Sequence, residues 1–321
     1  MRTISFLVIT LSILAANLKA QNPISPPGVY LADPSARVFK DGRLYVYGSL
    51  DESLDYYCST NYHMLSTEDL KNWKLTENIF SSKGNSDKVD YSEEKLYAPD
   101  AIFKDGIYYL YYCLASGRNI EGVATAKAPE GPYSVGEPIK GARQIDPAIF
   151  IDDDGQAYYY WGQFVANGAK MKSNMKEIEP ESVVKNLVSE KEHHFHEGSS
   201  MFKRNGIYYL VYTQINEKGL ATSIGYSYSE SPLGPFKYGG EIIDNDGCDP
   251  YTWNNHGSVQ QFKGKWYVFY HRSTHGSNSM RKACIEPIEF TRDGLIPQVE
   301  MTSQGASEPL DPFKTIEAEW A

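Results

Sequence analysis

The chain has 321 residues, a net charge of −10 and a charged content of 22%. An acidic balance argues against nucleic acid or an anionic membrane surface as a partner, and 41% hydrophobic residues is the content of a globular protein with a sizeable core. The unusual quantity is aromatic, 13% with 25 tyrosines: such residues favour strands, and their rings also stack on the apolar faces of sugars.

Residues 1–20 read as a signal peptide. Arg2 supplies the positive charge, Ile4 to Ala16 is an apolar run too short to span a bilayer, and Ala20–Gln21 is the expected cut. The expectation is a secreted or periplasmic protein without membrane insertion. The cysteines, Cys58, Cys113, Cys248 and Cys284, stand at long, irregular spacings with no CxxC. That pattern argues against a zinc site and leaves disulfide pairing open. Cys113 ends a strand-like run and reads as a small buried hydrophobe.

From Asp33 onward one phrase recurs five times: DPSARVFKDGRLYVYGS from Asp33, PDAIFKDGIYYLYYC from Pro99, DPAIFIDDDGQAYYYWG from Asp146, EGSSMFKRNGIYYLVYT from Glu197 and GSVQQFKGKWYVFYHR from Gly257. Each copy is a small or acidic opening, an apolar run, a turn rich in Asp, Asn, Lys and Gly, and a strand rich in Tyr, Val and Leu. The turns Lys104-Asp105-Gly106 and Arg204-Asn205-Gly206 are hairpin signals. Further strands are expected at Tyr62 to Ser66, Glu121 to Ala126 and Leu220 to Ser227. Only Met175 to Val184 has a weak helical look, interrupted by Pro180.

Repeating four-strand units in an all-β chain predict a five-bladed β-propeller over residues 21–311, with four-stranded blades around a central channel. A two-sheet sandwich does not account for five repeats. The segment Pro27 to Leu31 is the expected partner of the last blade for closing the ring.

The innermost strand of each blade lines the channel, so the five repeat starts converge on one shared space. These starts are Asp33, Asp100, Asp146, Glu197 and the pair His256-Gly257. Grouped carboxylates repel one another, and at least one has its pKa raised. A glycosidase needs such a group: one acid protonated to assist the leaving oxygen, another ionised to activate water or attack carbon.

The set ADPS (Ala32–Ser35), YAPD (Tyr97–Asp100), IDPAIF (Ile145–Phe150), HEGSS (His196–Ser200) and NHGSV (Asn255–Val259) resembles glycoside hydrolase family 43. The resemblance covers roughly Tyr30 to Thr302. It implies an exported inverting glycosidase acting on plant polysaccharide such as arabinoxylan or arabinan, of α-L-arabinofuranosidase, β-xylosidase or xylanase type. By the same resemblance Asp33 is the general base, Asp146 the acid that tunes and orients the general acid, and Glu197 the general acid. It also implies Arg272 as a basic residue near the acids. His256 is implied as a channel histidine beside a calcium ion or its waters, an ion the chemistry itself does not require. Asp100, His256, Arg272, Tyr57 and Phe164 are the expected substrate-binding residues.

Other readings fit the residues less well. A non-catalytic sugar-binding propeller would have lost one of the three acids, and all three are present. Galactan-cleaving members remain open, and a retaining fructan-cleaving relative would open its first blade on an Asn-Asp-Pro-Asn type motif. The run Asp152 to Asp154 reads as a hairpin tip, lacking the full calcium-loop pattern. His193, His194 and His196 read as a loop leading into the fourth blade. Trp161 and Trp266 read as blade packing, whereas Tyr56, Tyr57, Phe164, Tyr251 and Trp253 are candidates for sugar stacking. The end, Pro312 to Ala321, looks like the opening strand of a family 6 carbohydrate-binding module.

Overall fold

The hairpin tips fold as their residues dictate. Asp105 and Gly106, Asn205 and Gly206, and Lys263 and Gly264 all adopt positive φ, the geometry of a two-residue turn that matches strand twist. Each tip joins two antiparallel strands, and successive hairpins build the sheets.

The computed structural model describes residues 22–117, 120–216, 218–220, 223–245 and 255–307. The expected signal peptide, the tail 312–321, Cys248, Tyr251 and Trp253 lie outside them. The first blade is β1 (Leu31–Val38), β2 (Leu44–Leu50), β3 (Asn61–Thr67) and β4 (Lys74–Ser81). The second is β5 (Leu96–Lys104), β6 (Ile107–Leu114), β7 (Glu121–Ala126) and β8 (Glu137–Pro138). The third is β9 (Ala148–Ile151), β10 (Ala157–Trp161), β11 (Val165–Lys170) and β12 (Val184–Ser189). A single helical turn, α1 (Glu190–His193), leads to the fourth blade: β13 (Phe195–Arg204), β14 (Ile207–Gln214), β15 (Ser223–Ser229) and β16 (Lys237–Asp244). The fifth is β17 (Gly257–Phe262), β18 (Lys265–Thr274) and β19 (Ser277–Ile288). Every sheet is an antiparallel meander in chain order. The fold is the expected five-bladed propeller.

The second strand of each blade explains the tyrosine content. Its side chains alternate between two blade interfaces, so both faces are buried. On β10, Tyr159 and Trp161 pack against the second blade while Tyr158 and Tyr160 pack against the fourth. On β18, Val268 and Tyr270 face the fourth blade, and Tyr267 and Phe269 face the first. There are thus five aromatic layers, one per interface, and the last joins blades five and one to close the ring. Each fully buried ring contributes about 1.5–3 kcal/mol. Buried tyrosine hydroxyls find acceptors across the interfaces, as Tyr111 does at Met175 O (2.9 Å) and Tyr160 at Pro232 O (2.8 Å).

Closure differs from expectation by a few residues. Ile24 N donates to Ala283 O of β19 at 2.8 Å, Ser25 Oγ accepts from Ala283 N at 3.0 Å, and the Asn22 amide brackets Ile285. Residues 22–25, not Pro27–Leu31, lie along the last blade. Pro26 and Pro27 have no N–H to give a ladder, and Leu31 already pairs with Leu50 in the first blade. Of the weak helical segment, only a 3₁₀ turn at Pro180–Ser182 forms.

Candidate active site

Two of the three acids are aimed by strained backbone. Asp33 (φ 52°) and Asp146 (φ 62°) both stand in the left-handed region, each directly before a proline. Such residues cost on the order of 1–3 kcal/mol apiece and persist where the surroundings over-determine them. The register of β1 slips between Ala32 and Ser35, and that of β13 between Glu197 and Ser200. These irregularities turn inner-strand side chains into the channel mouth.

There Asp33, Asp146 and Glu197 line one cavity of about 110 Å³, together with Tyr57, Cys58, Tyr97, Gln163, His256 and Arg281. All three acids are buried. The convergence read from the repeats is therefore present in the fold. A larger cavity, about 630 Å³, opens among the opposite ends of the inner strands and contains none of the three.

Asp33 is held from several sides. Its Oδ1 accepts from Arg281 Nη1 at 2.9 Å, and its Oδ2 accepts from the Ser49 hydroxyl. Its own N–H donates to His271 Nδ1 at 3.1 Å, which places the imidazole proton on Nε2. Burial, followed by Arg281, lowers His271 to about 3, so this ring is neutral. Burial alone would raise Asp33, but Arg281, the two channel histidines and Ser49 outweigh it and hold the carboxyl at about 2. Asp33 is ionised at any working pH.

The other two acids behave oppositely. Asp146 Oδ2 accepts from Gly198 N at 2.9 Å, and Glu197 Oε2 accepts from Gln163 Nε2 at 2.7 Å. Burial, then the charges of Glu197 and Asp33, push Asp146 well above the usual carboxylate range. Glu197 is raised too, by burial first, against the pull of His196 and Gln163. The pair retains a proton that an isolated carboxylate would lose, and its two titrations belong to the pair. One ionised base and one proton-sharing dyad around a small pocket are the equipment of acid–base hydrolysis at an acetal.

Some expected binding residues are in place and others are not. Tyr57 lines the cavity, and the Arg281 guanidinium lies 4.8 Å above its ring. Phe164 is 53% exposed and stands at the rim, edge-on to His196 with centroids 5.2 Å apart. Arg272 is a correction. It pairs with Lys282 in the β18–β19 ladder, whereas Ser273 pairs with Arg281. Side chains alternate along a strand, so Arg272 points away from the face that carries His271 and Arg281; the basic residue at Asp33 is Arg281. Asp100 is a second correction. Its oxygens are taken by Ser35 Oγ (2.6 Å), Arg37 Nε (2.9 Å), Ile149 N (2.8 Å) and its own Ala101 N (2.7 Å), and it does not line the cavity. It is a buried acid neutralised by a buried guanidinium across two blades.

His256 lines the cavity and is lowered by burial. Calcium takes six to eight oxygens. The carboxylates acting on His256 are Asp33 and Asp100, and each is already held by an arginine. Among the described residues no three His, Cys, Asp or Glu side chains group to hold a metal ion. No step below passes through a metal ion. The expected hairpin tip is confirmed as a turn, with Gly155 N donating to Asp152 O at 2.9 Å, and Asp152 and Asp153 bind Lys203 of the next blade.

A propeller whose channel mouth holds this acid trio defines the chain as a glycosidase. The sequence profile of the Glycosyl hydrolases family 43 matches residues 20–296, and the chain belongs to that family. A xylosidase/arabinosidase of Thermoclostridium stercorarium is 33% identical over 90% of this chain and 68% of its own length. One from Bacteroides ovatus is 30% identical over 88% of this chain and 99% of its own. Among solved structures, a family 43 β-xylosidase/α-arabinofuranosidase from a compost microbial metagenome, in complex with xylotriose and in a calcium-free form, superposes with a TM-score of 0.74. It is 29% identical, covering 88% of this chain and 97% of that one. An enzyme of Xanthomonas citri complexed with xylose gives a TM-score of 0.76 at 27% identity, covering 92% and 97%.

Proposed function

We propose that this chain is an exported, inverting glycosidase that removes single pentosyl units, xylosyl or arabinofuranosyl, from xylan-type plant polysaccharide or its oligosaccharides. The observation that carries the reading is the division of labour among three buried acids around one small cavity: Asp33 held ionised at about 2, Asp146 and Glu197 both raised. The cavity, about 110 Å³, is well below the roughly 300–1,000 Å³ of pockets that take drug-sized ligands. A cavity of that size suits a single sugar unit, which supports exo action. The pentose assignment draws on the relatives and on the xylose and xylotriose bound in the structural neighbours.

In this reading Asp33 takes a proton from the attacking water. Arg281, fixed by Asp51, keeps that carboxylate ionised and oriented. Glu197 donates its proton to the departing glycosidic oxygen, and Asp146, tied to the backbone N–H that follows Glu197, retains the dyad's proton until it is needed. No cofactor is required by these steps. Residues 1–20, read from the sequence as a signal peptide, support export.

The test is hydrolysis of a panel of aryl pentosides and xylo- and arabino-oligosaccharides, with the first-formed product anomer followed by NMR. Inversion with release of single pentoses is expected. A retained anomer overturns the mechanism, and no hydrolysis of any member favours a binding propeller instead.

A further inference from the structure

Glu121 is a buried acid that the mechanism above leaves unused. It opens β7 and is 1% exposed. Its Oε1 accepts from Gln144 N at 2.9 Å, and its Oε2 is bonded to the Tyr159 hydroxyl at 2.6 Å. Its backbone carbonyl accepts from Ile139 N at 2.9 Å. One residue thus grips both ends of the segment 139–144, which crosses from the second blade to the third. Asp146 follows Gln144 by two positions and sits in a left-handed conformation that the surroundings must enforce. Tyr159 is itself buried in the interface between the same two blades.

The titratable groups that face Glu121 are Tyr159 of β10, Cys113 of β6 and Asp146 of the inter-blade turn. No ion pair forms at Glu121 among the described residues. A buried carboxylate without a cation is costly, so the neutral acid is the form that suits this place. Burial raises Glu121 to about 8, opposed by the hydrogen bonds from Tyr159 and Gln144.

We propose that Glu121 is a positioning residue for the catalytic dyad: as a neutral carboxylic acid it clamps the turn that carries Asp146 against β10, and so sets where Asp146 stands relative to Glu197. Its neutrality matters as much as its reach. An ionised Glu121 would add a third negative charge behind Asp146 and disturb the proton that Asp146 and Glu197 share. The inference rests on the proposed role of Asp146.

The experiment compares E121A, E121Q and Y159F by steady-state kinetics on an aryl pentoside across pH, together with thermal melts across pH, and includes D146N as a reference. E121A is expected to lower kcat about tenfold or more with KM within about twofold, and to displace the upper limb of the kcat–pH profile. E121Q, which keeps shape and neutrality, is expected to rescue most of that loss. Y159F, which frees one oxygen of the clamp, should fall between them. The melts carry the sign of the linkage. Because the folded-state value lies above the unfolded one, Glu121 lets wild-type stability decline as pH rises from about 5 to about 8, and E121Q should flatten that decline. Should E121A fail to fold, E121Q and Y159F still decide the matter. E121A with wild-type kcat and pH profile, or E121Q as damaging as E121A with an unchanged melt slope, overturns the proposal. Full activity in D146N overturns instead the reading of Asp146 on which it rests.

Discussion

Arg281 reaches Asp33 with Nη1 at 2.9 Å while its Nε and Nη2 are gripped by Asp51, each at 2.9 Å, and its backbone N–H also donates to Asp51 at 2.9 Å. Asp51 directly follows β2 of the first blade and Arg281 lies on β19 of the last, so the contact joins the two blades that meet at the ring's closure. The guanidinium sees two buried carboxylates and cannot be lost without leaving both uncompensated. It offsets the burial that would otherwise make Asp33 a weak acid, and so ties ring closure to the ionisation of Asp33.

Replacing Arg281 with methionine should therefore raise the Asp33 pKa from about 2. The sign follows from the cause: the cation favours the charged form, and its removal leaves burial unopposed. The acidic limb of kcat/KM should move up by about two units, with a loss of about 100-fold at the optimum. D51N, which loosens the guanidinium without removing it, should move the limb in the same direction by less. An acidic limb that stays where it is in R281M would refute the role given to this pair.

The two other acids are separated by leaving-group chemistry. E197Q should lose on the order of 10²–10⁴-fold on natural xylo-oligosaccharides, whose leaving oxygen needs a proton. On aryl pentosides with acidic leaving groups the loss should be far smaller. D33N should be impaired alike on both, since water activation does not depend on the leaving group. Equal losses for E197Q on both substrate classes would count against the acid role.

Much of this arrangement is legible in the sequence because repetition carries it. The tips Asp105-Gly106 and Asn205-Gly206 take the turn their residues require, and five equivalent strand starts must converge in a closed ring. Asp33, Asp146 and Glu197 are among those starts, and the family resemblance singles them out. Arg281 is not among them and reaches the site through strand parity: the choice between it and Arg272 depends on which face of β18 and β19 meets the channel. Asp100 satisfies the repeat pattern yet is diverted by Arg37, which stands four residues past Asp33 on the inner strand of the first blade. Gln163, Cys58 and Ser49 are contributed by loops and second strands, where no periodicity marks them.

Gly198 offers a test of the dyad's backbone. It stands at φ +74°, and a Cβ there would come within 2.8 Å of Thr213 Oγ1 and 3.2 Å of the His256 ring. Its N–H is the donor to Asp146. G198A should destabilise the protein by about 1–3 kcal/mol through left-handed strain and crowding, lowering the melting temperature by a few degrees. Activity should fall by more than the folded fraction does, because the Gly198–Asp146 bond shifts with the backbone. A variant that melts and turns over like wild type would show that this bond is not needed.

Chelation addresses the channel. The acids operate without a metal in the proposed mechanism, and among the described residues no three His, Cys, Asp or Glu side chains group to hold one. Dialysis against EDTA is expected to leave kcat within about twofold, and added calcium to restore nothing further, since proton transfer and electrostatic stabilisation here come from side chains. A reversible loss of activity on chelation, rescued by calcium and abolished in H256A, would place an ion at His256 and change the account of the site.

Phe164 tests how the enzyme grips what lies beyond the cleaved unit. The ring is 53% exposed, follows Gln163 of the cavity wall directly, and is braced edge-on by His196, which in turn lies 3.9 Å from Glu197. An exposed aromatic beside the cavity that holds the three acids is placed to stack on a neighbouring sugar of a bound chain. F164A should thus raise KM for xylotriose about three- to tenfold, leave kcat nearly unchanged, and affect a simple aryl pentoside less. Tyr57 lies inside the cavity under Arg281, so Y57A should lower kcat on both substrates. If F164A instead reduces kcat on the aryl pentoside as strongly as on xylotriose, the ring serves His196 and the dyad, and chain binding must be sought elsewhere on the rim.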